Sequence, residues 1–173
     1  MKVSAQEEYG LRCLMRLAQA GVEHSLTIPE IAAAEGLSAP YVAKLLSVLR
    51  QSGLIESVRG RAGGYRLASP PGDIRLGKVL LVLDRPLFED PGYCERHKGS
   101  ETDGICVHHG ACSLRALWHT LEQWMRQTLD RITLADLLQS EGRIADLLRT
   151  RLAEAVLEPE GPALIPLNTL TRD

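Results

Sequence analysis

Aromatic residues are scarce in this chain. Only seven of its 173 residues are Phe, Trp or Tyr, so a core must be built mostly from Leu, Ile, Val and Ala, a composition that leans helical. Long apolar runs are missing as well: nothing approaches the ~18 uninterrupted apolar residues of a membrane span. The amino terminus, MKVSAQEEYGLRCLMRLA, carries Glu7 and Glu8 and lacks the apolar stretch and small-residue cleavage site of a secretory signal. These absences predict a cytoplasmic protein with no membrane partner. In a reducing compartment its four cysteines are not a disulfide framework. Enzyme signatures are also lacking. There is no phosphate loop, no nucleophile elbow and no recognisable Cys–His–Asp order, so the output is read as binding and not turnover.

The formal charge of −2 says nothing of nucleic acid, but its distribution does. Residues 38 to 68 hold Lys44, Arg50, Arg59, Arg61 and Arg66 against the single acid Glu56, whereas residues 73 to 173 carry twelve bases and sixteen acids. A local basic patch in an otherwise acidic chain is the footprint of a phosphate-binding surface.

Hydrophobic spacing places that patch on a fold. Leu11, Leu14, Met15, Leu17 and Ala18 recur at threes and fours, predicting a first helix over 7–20 with one buried face. Cys13 lies inside it among apolar neighbours and reads as a small buried residue. In TIPEIAAAEG, Thr27 and Glu30 match a capping box, Pro29 suits a first turn and Gly36 stops a short second helix. Ser38 is placed as N-cap of a third helix, with Val42, Leu45, Leu46 and Leu49 inward and Gly53 at its exit. Next, LIESVRGRAGGYRLA reads as strands over 54–59 and 64–68 joined by a glycine-rich turn.

Helix, turn, helix and basic hairpin define a mainly α fold with a winged helix-turn-helix domain over residues 1–75. In such a module Ser38, Tyr41, Lys44 and Arg50 belong to the recognition helix, and Arg59, Gly60 and Arg61 form the wing that meets phosphates or the minor groove. The competing reading is a small helical domain with a solvated charge cluster.

Residues 76–138 are expected to hold a linker helix in IRLGKVLLVLDRP packed on the wing side, a cysteine loop and a long dimerisation helix. In that helix Leu114, Leu117, Trp118, Leu121, Met125, Thr128 and Leu129 form a stripe, and a second copy of the chain is the favoured cover. Thr133 to Asp136 is another capping-box match, and residues 139–173 are read as a C-terminal helix and a flexible tail.

The stretch CERHKGSETDGICVHHGAC gathers Cys94, Cys106 and Cys112, three of four cysteines, with His97, His108 and His109, three of five histidines. Such a set points first to a metal or to redox chemistry. Thiolates are the usual ligands of iron–sulfur clusters, and a loop free of regular structure can wrap one. Cys112 also falls where the positive end of the long helix favours negative charge. Zinc on Cys94, His97, Cys106 and Cys112 competes, although eleven residues between Cys94 and Cys106 exceed the usual two to four within a ligand pair. A bare thiol switch and functionless surface cysteines are the remaining readings.

The run LTIPEIAAAEGLSAPYVAKLLSVLRQSGLIESVRGRAGGYRLA, followed by IRLGKVLLVLD, three cysteines, LRALW and ITLADLL, resembles the Rrf2 family of bacterial transcription regulators from Met1 to about Leu138. The resemblance implies a homodimer on a pseudo-palindromic double-stranded operator, with half-sites about 34 Å apart. It further implies Arg59 in the minor groove and Tyr41 and Lys44 on the recognition helix. Pro40 and Ala43 stand where polar side chains could read bases, so the operator is expected to differ from those of other members. Members keeping three cysteines bind an iron–sulfur cluster that controls DNA binding. One branch completes the set with a histidine three residues after the third cysteine, but Arg115 is there in this chain. Another uses a carboxylate at the eighth residue, donated by the partner subunit, and Glu8 occupies that place. The resemblance thus favours Cys94, Cys106, Cys112 and Glu8, with His97, His108 and His109 as rivals for the fourth position and either a 2Fe–2S or a 4Fe–4S cluster compatible.

Overall fold

A computed structural model describes residues 3–60, 63–84, 92–97, 106, 108 and 112–157. Arg61, His109 and the tail beyond 157 lie outside the described residues.

Helix α1 (Ala5–Ala20) starts at Ser4, whose hydroxyl accepts the Glu7 N–H while the Glu7 carboxylate accepts the Ser4 N–H. Its inner face buries Cys13, Leu14, Leu17 and Ala18. Helix α2 (Ile28–Glu35) has the expected capping box: the Thr27 N–H donates to Glu30 at 2.7 Å, and the Glu30 N–H donates back to Oγ1 of Thr27. Gly36 ends it at φ 67°, a left-handed conformation that costs a residue with a Cβ far more.

Helix α3 (Ala39–Gln51) follows after a three-residue turn and buries Val42, Leu45, Leu46 and Leu49. Ser38 occupies its N-cap position but makes no capping hydrogen bond with its side chain. Strands β1 (Ile55–Val58) and β2 (Gly64–Leu67) pair antiparallel, with Ile55 opposite Leu67 and Val58 opposite Gly64. Leu26 adds a bridge on the far side of β2, exchanging hydrogen bonds of 2.9 and 2.8 Å with Tyr65. The wing is therefore anchored to the segment that enters α2.

Helix α4 (Leu76–Leu83) differs from the sequence expectation in its neighbours. It packs on α1, α3 and the long helix α6 (Ser113–Asp130) instead of the wing. Gly10 of α1 is pressed against the Leu83 side chain, and Gln6 Nε2 donates to the Leu83 carbonyl. The missing Cβ at Gly10 makes room for the Leu83 methyl groups against α1. Helix α5 (Gly92–Arg96) is a short turn of helix around Cys94. The cysteine segment is thus not wholly irregular, as the sequence had suggested. Helix α7 (Leu134–Leu137) carries the predicted capping box of Thr133 and Asp136, and α8 (Glu141–Leu157) closes the described chain.

One aliphatic core joins these parts. Leu14, Leu17, Ile31, Leu45, Leu46, Leu49, Ile55, Val79, Leu83 and Leu134 are all essentially buried within it. The Leu76 N–H donates to the Ile132 carbonyl and the Leu134 N–H to the Ile74 carbonyl, at 2.9 and 2.8 Å, which clasps the segments leading into α4 and α7. Among the described residues no helix is long and apolar enough to cross a membrane.

Candidate nucleic-acid interface and cysteine site

Exposure along α3 separates core from reading face. Ser38, Lys44 and Arg50 are exposed. Tyr41 is half-buried: its ring packs on the core and meets Tyr9 of α1 edge-on, at 6.0 Å between centroids. At the wing, Arg59 and Gly60 are exposed, and Gly60 takes φ 108°. The Gly63 N–H donates to the Gly60 carbonyl at 2.9 Å, closing the tip. Backbone and cation are thereby presented together, a combination suited to a phosphate or a groove wall.

Pairing trims the basic patch read from the sequence. Glu56 and Arg66 are cross-strand partners and form an ion pair at 2.7 Å, so the lone acid of the patch cancels one of its five bases. Lys44, Arg50 and Arg59 are the exposed cations described in the patch.

Behind the reading face, Arg12 and Arg16 of α1 converge on Glu35 at the end of α2. Nε of Arg12 donates to one carboxylate oxygen at 2.9 Å, Nε of Arg16 to the other at 2.8 Å, and Nη2 of Arg12 to the Glu35 carbonyl at 2.7 Å. Burial alone would raise the Glu35 carboxyl, but the hydrogen bonds and charges of the two guanidinium groups outweigh it and hold the pKa below the ordinary value. The cations also neutralise the negative end of the α2 dipole. Sequence reasoning missed this cluster because its members lie 19 and 23 residues apart.

Cys94, Cys106 and Cys112 are free and half-buried, and Cys13 is fully buried. Cys112 is the N-cap of α6, with its sulfur accepting the Arg115 N–H at 3.4 Å. Cys94 lies in α5 and Glu8 is exposed on α1. Among the described residues no group of three or more His, Cys, Asp or Glu side chains is gathered closely enough to hold a metal ion. The donors themselves suit an iron–sulfur cluster: three free thiols, one at a helix N-terminus, and an accessible carboxylate.

A family model described as Rrf2, iron-dependent transcriptional regulator, matches residues 3–140. The chain belongs to the Rrf2 family. It is 35% identical over 139 residues to protein rrf2 of Nitratidesulfovibrio vulgaris, covering 80% of this chain and 88% of that one. With the HTH-type transcriptional regulator NsrR of Geobacillus kaustophilus it shares 37% identity over 152 residues, covering 87% and 99% of the two chains. The solved structure of T. potens IscR superposes with a TM-score of 0.61 at 35% identity, over 80% of this chain and 86% of that one. CymR, described as the global cysteine regulator of B. subtilis, superposes with a TM-score of 0.61 at 31% identity, over 80% and 96%. This Rrf2 chain is accordingly a DNA-binding transcription regulator and not an enzyme.

In this Rrf2 regulator the predicted stripe on α6 divides. Leu114, Leu117, Trp118 and Leu121 are exposed, whereas Thr128 is buried and Met125 and Leu129 are half-buried. Trp124, which the spacing had not included, joins the outer face, whose five large side chains are 37–55% exposed. The C-terminal half of α6 meets α4. Its N-terminal half presents a large apolar surface beginning two residues after Cys112.

Proposed function

We propose that this Rrf2 regulator reads a pseudo-palindromic operator as a homodimer and that an iron–sulfur cluster controls its binding. Residues 1–75 act as the reading head. Ser38, Tyr41, Lys44 and Arg50 face the major groove, and Arg59, Gly60 and Arg61 reach the phosphates or the minor groove. Residues 76–138 couple the sensor to the dimer, and 139–173 form an appended helix and tail. The protein works in the cytoplasm, beside its DNA.

Cys94, Cys106 and Cys112 hold the cluster, with Glu8 of the partner subunit as fourth ligand. When bound, the cluster supplies a centre that responds to redox state, nitric oxide or iron supply, and its carboxylate ligand exchanges more readily than a thiolate. The observation that carries this reading is the position of Cys112: one sulfur both caps α6 and stands at the head of its exposed apolar face. A change at the thiols thus reaches the helix that sets the spacing of two reading heads.

Anaerobic purification and rebuilding with iron and sulfide should give a coloured protein with matching iron and sulfide content, and operator affinity that changes when the cluster is removed. A full-length protein that takes up neither iron nor sulfide overturns the cluster. Leu121→Asp should convert the dimer to monomer in sedimentation velocity, because a carboxylate cannot be buried there unpaired.

A second reading has one observation in its favour. Cys94, Cys106 and Cys112 are free thiols and none is fully buried, so an oxidant can reach them directly. Metal-free protein whose operator affinity falls on mild oxidation and returns on reduction would establish it.

A further inference from the structure

The turn between α2 and α3 is bracketed by two contacts with the same helix. Before the turn, Glu35 at the end of α2 is held by Arg12 and Arg16. After it, Tyr41 in the first turn of α3 meets Tyr9 edge-on at 6.0 Å. Tyr9, Arg12 and Arg16 follow one another along α1 at spacings of three and four, so they share one face of it. Arg12 joins the two contacts. Its Nε donates to the Glu35 carboxylate at 2.9 Å and its Nη2 to the Glu35 carbonyl at 2.7 Å. Its guanidinium also lies 5.4 Å from the centre of the Tyr9 ring, within cation–π range. Among the described contacts Arg16 reaches the carboxylate and neither the backbone nor Tyr9. The N-cap of α3 gives little support of its own: Ser38 makes no capping hydrogen bond with its side chain, and Gly36 has a backbone that turns freely. The place where α3 begins therefore depends on what α1 holds.

We propose that Arg12 is a positioning residue for DNA reading: by holding the Glu35 backbone and the Tyr9 ring together, it fixes where α3 begins and how its outer face meets the major groove. The inference rests on the reading of α3 as the recognition helix. A guanidinium suits this task. Its Nε and Nη2 bond two different acceptors of one residue while its plane covers an aromatic ring, whereas a lysine ammonium has a single nitrogen to share among them. Arg16 supplies a matched control. The two side chains are almost equally exposed, at 38% and 37%, and each pairs with one oxygen of the same carboxylate. Removing either takes away the same charge and leaves Glu35 one partner. Of the two, only Arg12 also binds the backbone and the ring. Loss of Arg12 thus disturbs recognition, while loss of Arg16 is felt in stability.

The test compares full-length Arg12→Met and Arg16→Met, which keep an aliphatic stem, with wild type. The probes are a duplex that the wild type selects from a random pool and a scrambled duplex of equal length. Urea unfolding should show similar losses in the two variants. Arg12→Met should bind the selected duplex at least about fivefold more weakly than Arg16→Met does, and both should bind the scrambled duplex alike. Arg12→Lys should recover stability without recovering discrimination, and it carries the comparison if Arg12→Met does not fold. In the free chain, amide exchange at Leu37, Tyr41 and Val42 should quicken in Arg12→Met and not in Arg16→Met. Equal discrimination by the two Met variants, full recovery by Arg12→Lys, or unchanged exchange at those amides overturns the proposal. Lys44→Ala and Arg59→Ala separate it from the reading beneath it. If both bind the selected duplex as wild type does, the assignment of α3 and the wing to DNA fails, and this inference with it. If both bind it more weakly while Arg12→Met discriminates as Arg16→Met does, this inference alone fails.

Discussion

Tyr9 meets Tyr41 edge-on, with ring centroids 6.0 Å apart and planes at 85°, and the Arg12 guanidinium stands 5.4 Å from the centre of the Tyr9 ring. The contact ties α1, one residue beyond Glu8, to the reading helix. An edge-to-face aromatic pair contributes about 0.5–1.5 kcal/mol beyond its burial. Tyr9→Leu should therefore cost about 1 kcal/mol of stability and weaken operator binding by loosening Tyr41. Fluorescence anisotropy with a labelled operator checks the second effect, and unchanged affinity would place the Tyr41 ring outside the DNA contact.

Glu35 makes stability depend on acidity. Its folded pKa is depressed, so its contribution is present above the unfolded value of about 4.3 and is lost as pH falls through the folded value. Both arginines are more than a third exposed, which limits the effect through solvent screening to about 1 kcal/mol. Glu35→Gln should show that loss in urea unfolding near neutral pH and match wild type in strong acid. Equal deficits at both pH values would contradict the assignment.

Gly64 lies against the chain entering α2. A Cβ there would stand 2.5 Å from the Leu26 carbonyl oxygen and 2.7 Å from its carbon, and backbone atoms cannot swing aside. Gly64→Ala should cost about 1–3 kcal/mol and separate the wing from Leu26. Thermal unfolding measures the first, and faster amide exchange at Leu26 and Tyr65 reports the second.

Cys13 differs from the other thiols. Burial, reinforced by the Glu35 charge and opposed by Arg12, pushes its pKa up to about 11. Brief maleimide treatment of the native, metal-free chain should modify Cys94, Cys106 and Cys112 and leave Cys13 untouched until the protein is unfolded. Peptide mass spectrometry distinguishes the sites, and early labelling of Cys13 would contradict its burial.

Among the described residues of the wing, Arg59 is an exposed cation. Arg59→Ala should weaken operator binding by about 1–3 kcal/mol if it enters a groove. A smaller loss, equal on operator and unrelated DNA and accompanied by a shallower salt dependence, would assign it to a phosphate.

Much of the architecture is determined within single turns of chain and was legible from sequence alone. The Thr27–Glu30 and Thr133–Asp136 capping boxes form as their spacing predicts, Gly36 stops α2, and the apolar repeat of α3 is buried. In each case the deciding atoms are at most four residues apart. Five residues of α5 were too few to show a period, so the helical turn around Cys94 and the stacking of His97 on Tyr93 emerged only from the structure. The tertiary fold alone decided that α4 faces α1, that Glu56 neutralises Arg66, that Leu26 braces the wing and that the α6 stripe is half covered. Those outcomes depend on which distant surfaces lose water together, and burial and charge pairing between residues far apart in sequence have no local signature.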